Sequence, residues 1–192
     1  MNWEFCERRE VVGNRKFKAK LSTDSLDKLK QELLQYKNVE LPSKCREFVK
    51  QLMESGVEVA NAKLSESPLG SQVTITTKML SENYGGKGII LAKGAVHQAE
   101  GYDPFSILLA IEFGAGVHYN PSGTPNPKSA ELGFGVGTFP GQTHAWQDTW
   151  FYWDDKEQAW KPSHGIKATM PMYSADMEII QNIEKIAKEV FG

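Results

Sequence analysis

Cysteine, surplus basic charge and long apolar runs are all scarce in this sequence. Its two cysteines, Cys6 and Cys45, lie far apart, whereas a secreted domain that depends on disulfides usually carries more of them. Lysine and arginine total 22 against 24 acidic residues, so the charge balance does not indicate a nucleic-acid-binding protein. No stretch reaches the roughly 20 apolar residues of a transmembrane helix, and the opening MNWEFCERRE lacks a signal-peptide apolar run. We therefore expect folding in a cytoplasm and no membrane contact.

The residues that are present are those of an ordinary globular protein. Apolar residues make up 40% of the 192 positions and charged residues 24%, a composition unlike that of disordered chains. The length suits one domain, residues 1–192. The predicted order is a strand, two helices, a hairpin, a short helix, a long loop, a second hairpin and a last helix. This order predicts an α+β fold, an antiparallel β-sheet with helices packed on one face.

Hydrophobic periodicity and turn residues give these elements approximate bounds. Cys45 lies on the apolar face of the longest helix and is predicted to be a buried free thiol. In the last helix, the predicted buried stripe consists of Met177, Ile180, Ile183, Ala187 and Val190. The predicted elements are a strand at 15–22, a helix capped by Asp24 or Ser25, a helix from Pro42 to about Leu64, strands at 71–80 and 88–94 around the turn ENYGGKG, a short helix from Asp103 to Phe113, and a last helix after Pro171.

An acidic residue and two glycines close the short apolar helix. The run DPFSILLAIEF is nearly all apolar, so this helix is expected to be buried. Gly114 and Gly116 follow Phe113 and can adopt the left-handed conformation that ends many helices. Glu112 is therefore predicted to hold the helix end or a neighbouring backbone group.

A long segment from about 117 to 147 is dense in glycine, proline, serine and asparagine. Such a segment inside a compact domain is usually functional or mobile. It contains GFGVG, residues 133–137, which resembles a phosphate-binding loop in glycine content, as does GGKG at residues 85–88. Neither has the spacing of a strand–loop–helix nucleotide motif. We therefore predict no cofactor, and GGKG is interpreted as a hairpin turn.

The spacing of titratable residues gives little support for a catalytic or metal site. The four histidines are His97, His118, His144 and His164, and none forms the i, i+4 pair of helical metal sites. Neither cysteine nor any serine lies in a nucleophile motif. Glu112 with His118 or His144 could supply an acid and a base, which leaves a hydrolase as an alternative. We favour a structural role for Glu112 and predict no catalytic residue and no metal ligand.

Aromatic residues flank the sequence DDKEQ, which predicts an aromatic β-hairpin. Its side chains could bind sugars, and a carbohydrate-binding module is therefore a second alternative. Base stacking is disfavoured by the acidic pair Asp154 and Asp155 and by the low basic charge. Packing on the core or on a neighbouring subunit is the preferred interpretation, because such aromatics are enriched at interfaces. The aromatic residues of this region are Trp146, Trp150, Phe151, Tyr152, Trp153 and Trp160.

Three features in this order resemble the phage tail-component family, small virion proteins of the head–tail joint described as tail completion, tail terminator or head–tail connector proteins. A long amphipathic helix near the N-terminus precedes a β-hairpin. A short apolar helix ends in IEFGAG, similar to the family's motif of an acid, an aromatic residue and two glycines around a small residue. A late aromatic hairpin leads through a glycine to HGIKATMPMYSA, which opens the last helix. The resemblance runs from about Asp24 to the end, although Ala115 stands where the family often has threonine and the loop is unusually long.

The resemblance implies a non-enzymatic structural subunit without a cofactor. Such subunits are expected to assemble as rings, often hexamers, around the channel through which DNA passes without specific binding. Head–tail connector and tail-tube proteins would be the neighbours, and the location would be the virion, after synthesis in the host cytoplasm. The segment at about 117–147 would then be an assembly loop. The residues implied in assembly or structure are Glu112, Phe113, Gly114 and Gly116 at the helix-to-loop switch, Trp150 and Trp153 in the hairpin, and Pro171, Met172 and Tyr173 at the seat of the last helix.

Overall fold

The computed structural model describes residues 11–12, 15–82, 85–98, 104–115, 126, 149–154 and 157–192, and at 11, 12, 15, 16, 150, 152, 153 and 163 it describes the backbone alone. These residues form a mixed α+β structure. The helices are α1 (Thr23–Gln35), α2 (Leu41–Ser65), α3 (Ile107–Phe113) and α4 (Pro171–Phe191). The strands are β1 (Val11–Val12), β2 (Arg15–Lys16), β3 (Val73–Glu82), β4 (Gly85–Gly94), β5 (Val96–His97), β6 (Phe105–Ser106), β7 (Trp150–Asp154) and β8 (Ala159–Ser163).

Within the described residues, the strands form two-stranded ladders only, and these are β1–β2, β3–β4, β5–β6 and β7–β8. The two predicted hairpins are confirmed as β3–β4 and β7–β8. The predicted strand at 15–22 is wrong beyond its first two residues. Within residues 15–22, only Arg15 and Lys16 pair, with Val12 and Val11 respectively.

Helices α1 and α2 follow each other through a π-helical turn, Tyr36–Glu40. In this turn, the Leu41 N–H donates to the carbonyl of Tyr36, five residues back. Pro42, which was predicted to open a new helix, comes immediately afterwards. A proline has no N–H and its ring collides with the preceding helical turn, so a widened turn lets the helix continue through it. The cap of α1 is Ser22, not Asp24 or Ser25, since the Ser22 hydroxyl accepts the Ser25 N–H at 3.3 Å.

Backbone contacts divide the chain into two compact units, Met1–Met53 with Lys78–Ile89 and Gln181–Gly192, and Glu54–Thr77 with Ile90–Ile180. In the first unit, α2 packs against the tip of the β3–β4 hairpin. A Cβ atom at Gly88 would lie 2.8 Å from Cγ1 of Val49, so glycine permits this close approach. Cys45, predicted as a buried free thiol, is free and half-buried.

The second unit holds the larger part of the described core. One cluster joins the end of α2 and the start of β3 to α3 through Leu64, Val73, Ile107 and Ile111. Ile75 and Ala92 of the hairpin pack against this cluster. Helix α3 is therefore buried, as its apolar sequence predicts.

The predicted buried stripe of α4 is wrong: none of its residues is buried, and Met177, Ala187 and Val190 are half-buried. Ile180 and Ile183 are 53% and 44% exposed, whereas Ala175 and Ile186 are buried. Ala175 and Ile186 are three helical turns apart and share a face, and Ile180 and Ile183 lie off that face. Among the described helices, none has the length and apolar character required to span a membrane.

Candidate functional site

The candidate site is built where α3 ends. The cap of α3 is Ser106, whose hydroxyl accepts the Leu109 N–H at 3.4 Å, and not Asp103 as the sequence predicted. The helix ends at Gly114, whose φ of 81° and ψ of 167° fall in a region that only glycine adopts easily. The Gly114 N–H closes the helix by donating to the Ala110 carbonyl at 2.8 Å.

Glu112 lies two residues before Gly114, in the last turn of α3, and is 5% exposed. Its Oε2 accepts the backbone N–H of Met172 at 3.0 Å, and its Oε1 accepts that of Tyr173 at 3.0 Å. These are the second and third residues of α4. The carboxylate of one helix therefore caps the first turn of another that lies 60 residues further along the chain.

The start of α4 has a particular need for such a cap. Pro171 occupies its first position and has no N–H, so Met172 and Tyr173 carry the first free donors. The preceding residue, Met170, has no oxygen in its side chain and a positive φ of 51°, whereas common cap residues accept these N–H groups with their own side chains. Glu112 supplies that acceptor, and its charge is favourable at the positive end of the helix dipole.

Backbone hydrogen bonds hold the same two chain segments together. The Ile111 carbonyl accepts the Thr169 N–H at 2.9 Å and the Met170 N–H at 3.4 Å. Just beyond Gly114, Ala115 and Ile166 exchange hydrogen bonds of 2.8 and 2.9 Å as an isolated antiparallel bridge. We call Glu112, its acceptor bonds to α4 and these backbone bonds the helix joint.

One residue of the long loop takes part in the helix joint. Asn126 is 6% exposed, and its Nδ2 donates to Oε1 of Glu112 at 2.9 Å. Sequence reasoning missed this residue. The available signal was its position in Pro-Asn-Pro, because a residue before proline is restricted to extended conformations and suits a fixed anchor.

The other predicted residues near the helix joint are placed as follows. Phe113 is buried and packs with Ala110 and Ala115. Pro171 is fully buried at the start of α4. Gly116 lies outside the described residues, as do His118 and His144. The helix joint thus unites Glu112 with Met172 and Tyr173, while an assembly role for these residues stays a prediction.

The candidate catalytic residues are placed as follows. In the described part of the chain, Glu112 is buried and accepts hydrogen bonds from three N–H donors. His97 and His164 are both exposed and lie near Gln72 and Thr149 respectively. No group of three metal-ligating side chains occurs among the residues that the structure describes.

The glycine motifs were the candidates for a phosphate site. Residues 85–88, GGKG, lie inside β4, so their interpretation as a turn is wrong. Glycine at position 88 permits the close approach of α2 to that strand, so this glycine does not require a phosphate site. The second motif, GFGVG at 133–137, lies outside the described residues.

The aromatic hairpin presents a second feature of interest. Phe151 is 63% exposed and Trp160 67% exposed. Phe151 pairs with Pro162, and Trp160 pairs with Trp153, so all four positions share one face of the hairpin. Of Trp150 and Trp153, only the backbones are described, in register with Ser163 and Trp160.

An ion-pair cluster lies on the same hairpin. The ammonium of Lys161 is 2.6 Å from a carboxylate oxygen of Glu157 and 2.9 Å from one of Asp154. The hydrogen bond to Glu157, followed by that to Asp154, raises the pKa of Lys161 above its ordinary range. Lys161 and Asp154 are half-buried and Glu157 is exposed, so water still screens the cluster and it does not imply a reactive lysine.

No protein-family model, curated protein or solved structure matches this chain.

Proposed function

We propose that the chain is a phage virion structural protein of the head–tail joint, of the tail completion, tail terminator or connector type. It would assemble as a ring around the DNA channel, with connector and tail-tube proteins as neighbours. The proposal rests first on the resemblance of IEFGAG and PMYSA, in their order and spacing, to the motifs of the tail-component family. It includes no enzymatic activity, cofactor or specific DNA contact.

One observation carries the proposal. The two short motifs behind the resemblance lie 60 residues apart and meet through hydrogen bonds from Met172 and Tyr173 to Glu112. One motif supplies the acid, and the other supplies the helix start whose first free N–H groups the acid caps. This physical dependence supports treating the motifs as parts of one architectural device, which is what a structural protein requires.

Exposed apolar side chains support assembly into a larger particle. A free monomer gains little from large apolar residues in water, whereas a subunit buries them at interfaces. In the first compact unit these residues are Leu21, Leu26, Leu33, Leu34, Val39 and Ile183. In the second they are Leu91, Val96, Phe151, Trp160 and Ile180.

The same proposal includes a larger β-sheet, which would form when subunits assemble. Each described ladder has two strands, and two-stranded hairpins are only marginally stable by themselves. In the ring, strands or loops of a neighbour would extend them into an antiparallel sheet covered by helices on one face. The segment at about 117–147 would be the assembly loop, which Asn126 anchors to the helix joint.

Negative-stain electron microscopy of the purified full chain tests this proposal. We expect closed rings with a central opening and one rotational symmetry. Particles no larger than a monomer across the micromolar range would contradict the proposal. So would open filaments, because a head–tail ring has to close around the channel.

Carbohydrate binding is a second candidate, favoured by the exposure of Phe151 and Trp160 on one hairpin face. Aromatic faces of this kind can stack on sugar rings. We expect Trp160→Ala to abolish binding to any oligosaccharide that the full chain retains on a glycan array. Leu91→Ala is the matched control, since Leu91 is also exposed but lies on β4. If the wild-type chain binds no glycan on the array, carbohydrate binding is contradicted as its function.

A further inference from the structure

The helix joint contains a buried hydroxyl group that none of the described residues satisfies. Thr169 is 8% exposed, and its Oγ1 has no hydrogen-bond partner in the part of the chain that the structure describes. The Thr169 N–H, in contrast, donates to the Ile111 carbonyl at 2.9 Å. A buried hydroxyl without a partner has lost its hydrogen bonds to water, so it favours any form of the joint that exposes Thr169.

The next residue has a strained backbone. Met170 has a φ of 51°, and it precedes Pro171, whose ring favours extended conformations in the residue before it. Among the described residues other than glycine, only Gln158 also has a positive φ, and it lies in the turn between β7 and β8. Met170 lies in no hairpin turn, so its conformation is an energetic cost that surrounding contacts have to offset.

Hydrogen bonds to two adjacent residues of α3 offset these costs. The described N–H groups between positions 169 and 173 donate either to the Ile111 carbonyl or to the Glu112 carboxylate. Because all of them depend on one short stretch of α3, we expect them to form and break together. The four donors, called the joint N–H groups below, are those of Thr169, Met170, Met172 and Tyr173.

Asn126 supports this arrangement through one oxygen of the carboxylate. Its Nδ2 donates to Oε1 of Glu112 at 2.9 Å, and the same oxygen accepts the Tyr173 N–H at 3.0 Å. Asn126 and Glu112 are both buried, so the amide restricts the carboxylate to the orientation in which it caps α4. Without Asn126, Oε1 would lose a charge-assisted hydrogen bond, and the cap would be weaker.

We propose that the helix joint is a two-state latch between α3 and α4, and that the structure shows its closed form. In the open form, residues 169–173 leave Ile111 and Glu112, which relieves the strain at Met170 and exposes the Thr169 hydroxyl to water. Asn126 favours the closed form by holding the carboxylate. This inference deepens the proposed function and rests on it only for the event that withdraws Asn126, the capture of the loop by a neighbouring copy.

Hydrogen exchange of the full chain, measured at single-residue resolution, tests whether the latch opens. The joint N–H groups should have similar protection factors, at least about tenfold below that of Ala60. Ala60 lies in α2 and is 0% exposed, so its N–H reports on unfolding of the core. Equal protection of the joint N–H groups and Ala60 would mean that the joint opens only when the chain unfolds, and it would overturn the latch.

Thr169→Val should shift the latch towards its closed form. Valine has a similar shape but no hydroxyl group, so the joint N–H groups should exchange about tenfold more slowly than in wild type. Thr74→Val is the matched control, because Thr74 is exposed on β3, and it should leave their exchange unchanged. Unchanged or faster exchange in Thr169→Val would overturn the role of the hydroxyl, and the latch with it.

Met170→Gly tests the contribution of backbone strain. Glycine adopts a positive φ readily, so the joint N–H groups that remain comparable should exchange about two- to tenfold more slowly. Lys167→Gly is the control in the same segment, since Lys167 is exposed and has no positive φ. It should not slow their exchange. Equal effects of the two glycines would contradict strain as a driving force for opening.

Asn126→Ala tests the link between the loop and α4. The joint N–H groups should exchange about tenfold faster or more, because the carboxylate loses a buried hydrogen bond. Exchange that changes by the same factor at Ala60 would reflect a general loss of stability and would contradict a role specific to the latch.

The outcomes separate the latch from the proposed function. Rings whose joint N–H groups are as protected as Ala60 would overturn the latch and leave the ring proposal standing. A latch that responds to Thr169→Val in a chain that never forms rings would support the latch and contradict the ring. If both exist, the joint N–H groups should exchange faster in the ring than in the dissociated chain, and equal exchange would overturn the link between assembly and opening.

Discussion

Replacing Glu112 by alanine is expected to lower the free energy of unfolding by about 3–5 kcal/mol. The change leaves the N–H groups of Met172 and Tyr173, together with the Asn126 amide, without their buried acceptor. It also removes a negative charge from the positive end of α4. Urea denaturation followed by circular dichroism measures the loss. Glu58→Ala is the control, since Glu58 is an exposed glutamate on α2, and it should cost less than about 0.5 kcal/mol.

The partnership between Glu112 and Asn126 can be measured separately. Asn126→Asp places a second carboxylate beside Glu112 and should destabilise the protein by about 2 kcal/mol or more. Glu112→Gln removes the like-charge contact, so the double variant should be more stable than the sum of the single changes predicts. We expect a coupling free energy of about 1–3 kcal/mol. Additive effects would show that Asn126 does not hold the loop to the helix joint.

Replacing Gly114 by alanine is expected to lower the free energy of unfolding by about 1–3 kcal/mol. The φ of 81° and ψ of 167° at this residue lie in a region that strains any residue with a Cβ atom. Gly114 is also buried. To relieve this strain, the backbone of the variant would move at residue 114. That movement would shift the bridge between Ala115 and Ile166 and the start of the loop that follows it.

Gly86→Ala is the control for Gly114→Ala. Gly86 lies in β4 without a positive φ, and its nearest neighbours are the flexible side chains of Arg46 and Met79. We expect this control to stay within about 1 kcal/mol of wild type. An equal loss of stability in both variants would mean that the backbone conformation of Gly114 is not the cause.

Local sequence patterns predicted the helices and strands whose hydrophobic periodicity is strong. The features that were missed depend on contacts between residues far apart in the sequence. The helix at Leu41–Ser65 and the hairpin at 73–94 follow from apolar spacing and β-branched residues. The π-helical turn was missed because it reflects how the chain accommodates Pro42 within a longer helix. The start of α3 was misplaced because Asp103 and Ser106 are both residue types that cap helices well, and the local sequence does not distinguish them.

The helix joint shows most clearly what could not be predicted from the sequence. The anchoring role of Glu112 was inferred from its position after an apolar helix. Its partners, however, lie 60 residues away, and no local pattern specifies which N–H groups will come within reach. Asn126 was overlooked for the same reason, since its role depends on where the loop passes and not on its neighbours alone.

Native mass spectrometry of the full chain tests the central claim, a ring-forming structural subunit, most directly. The account predicts one dominant assembly whose mass is a fixed whole-number multiple of the subunit mass and does not grow with concentration. A monomer at all concentrations, or a series of oligomers without a closed end point, would contradict the account.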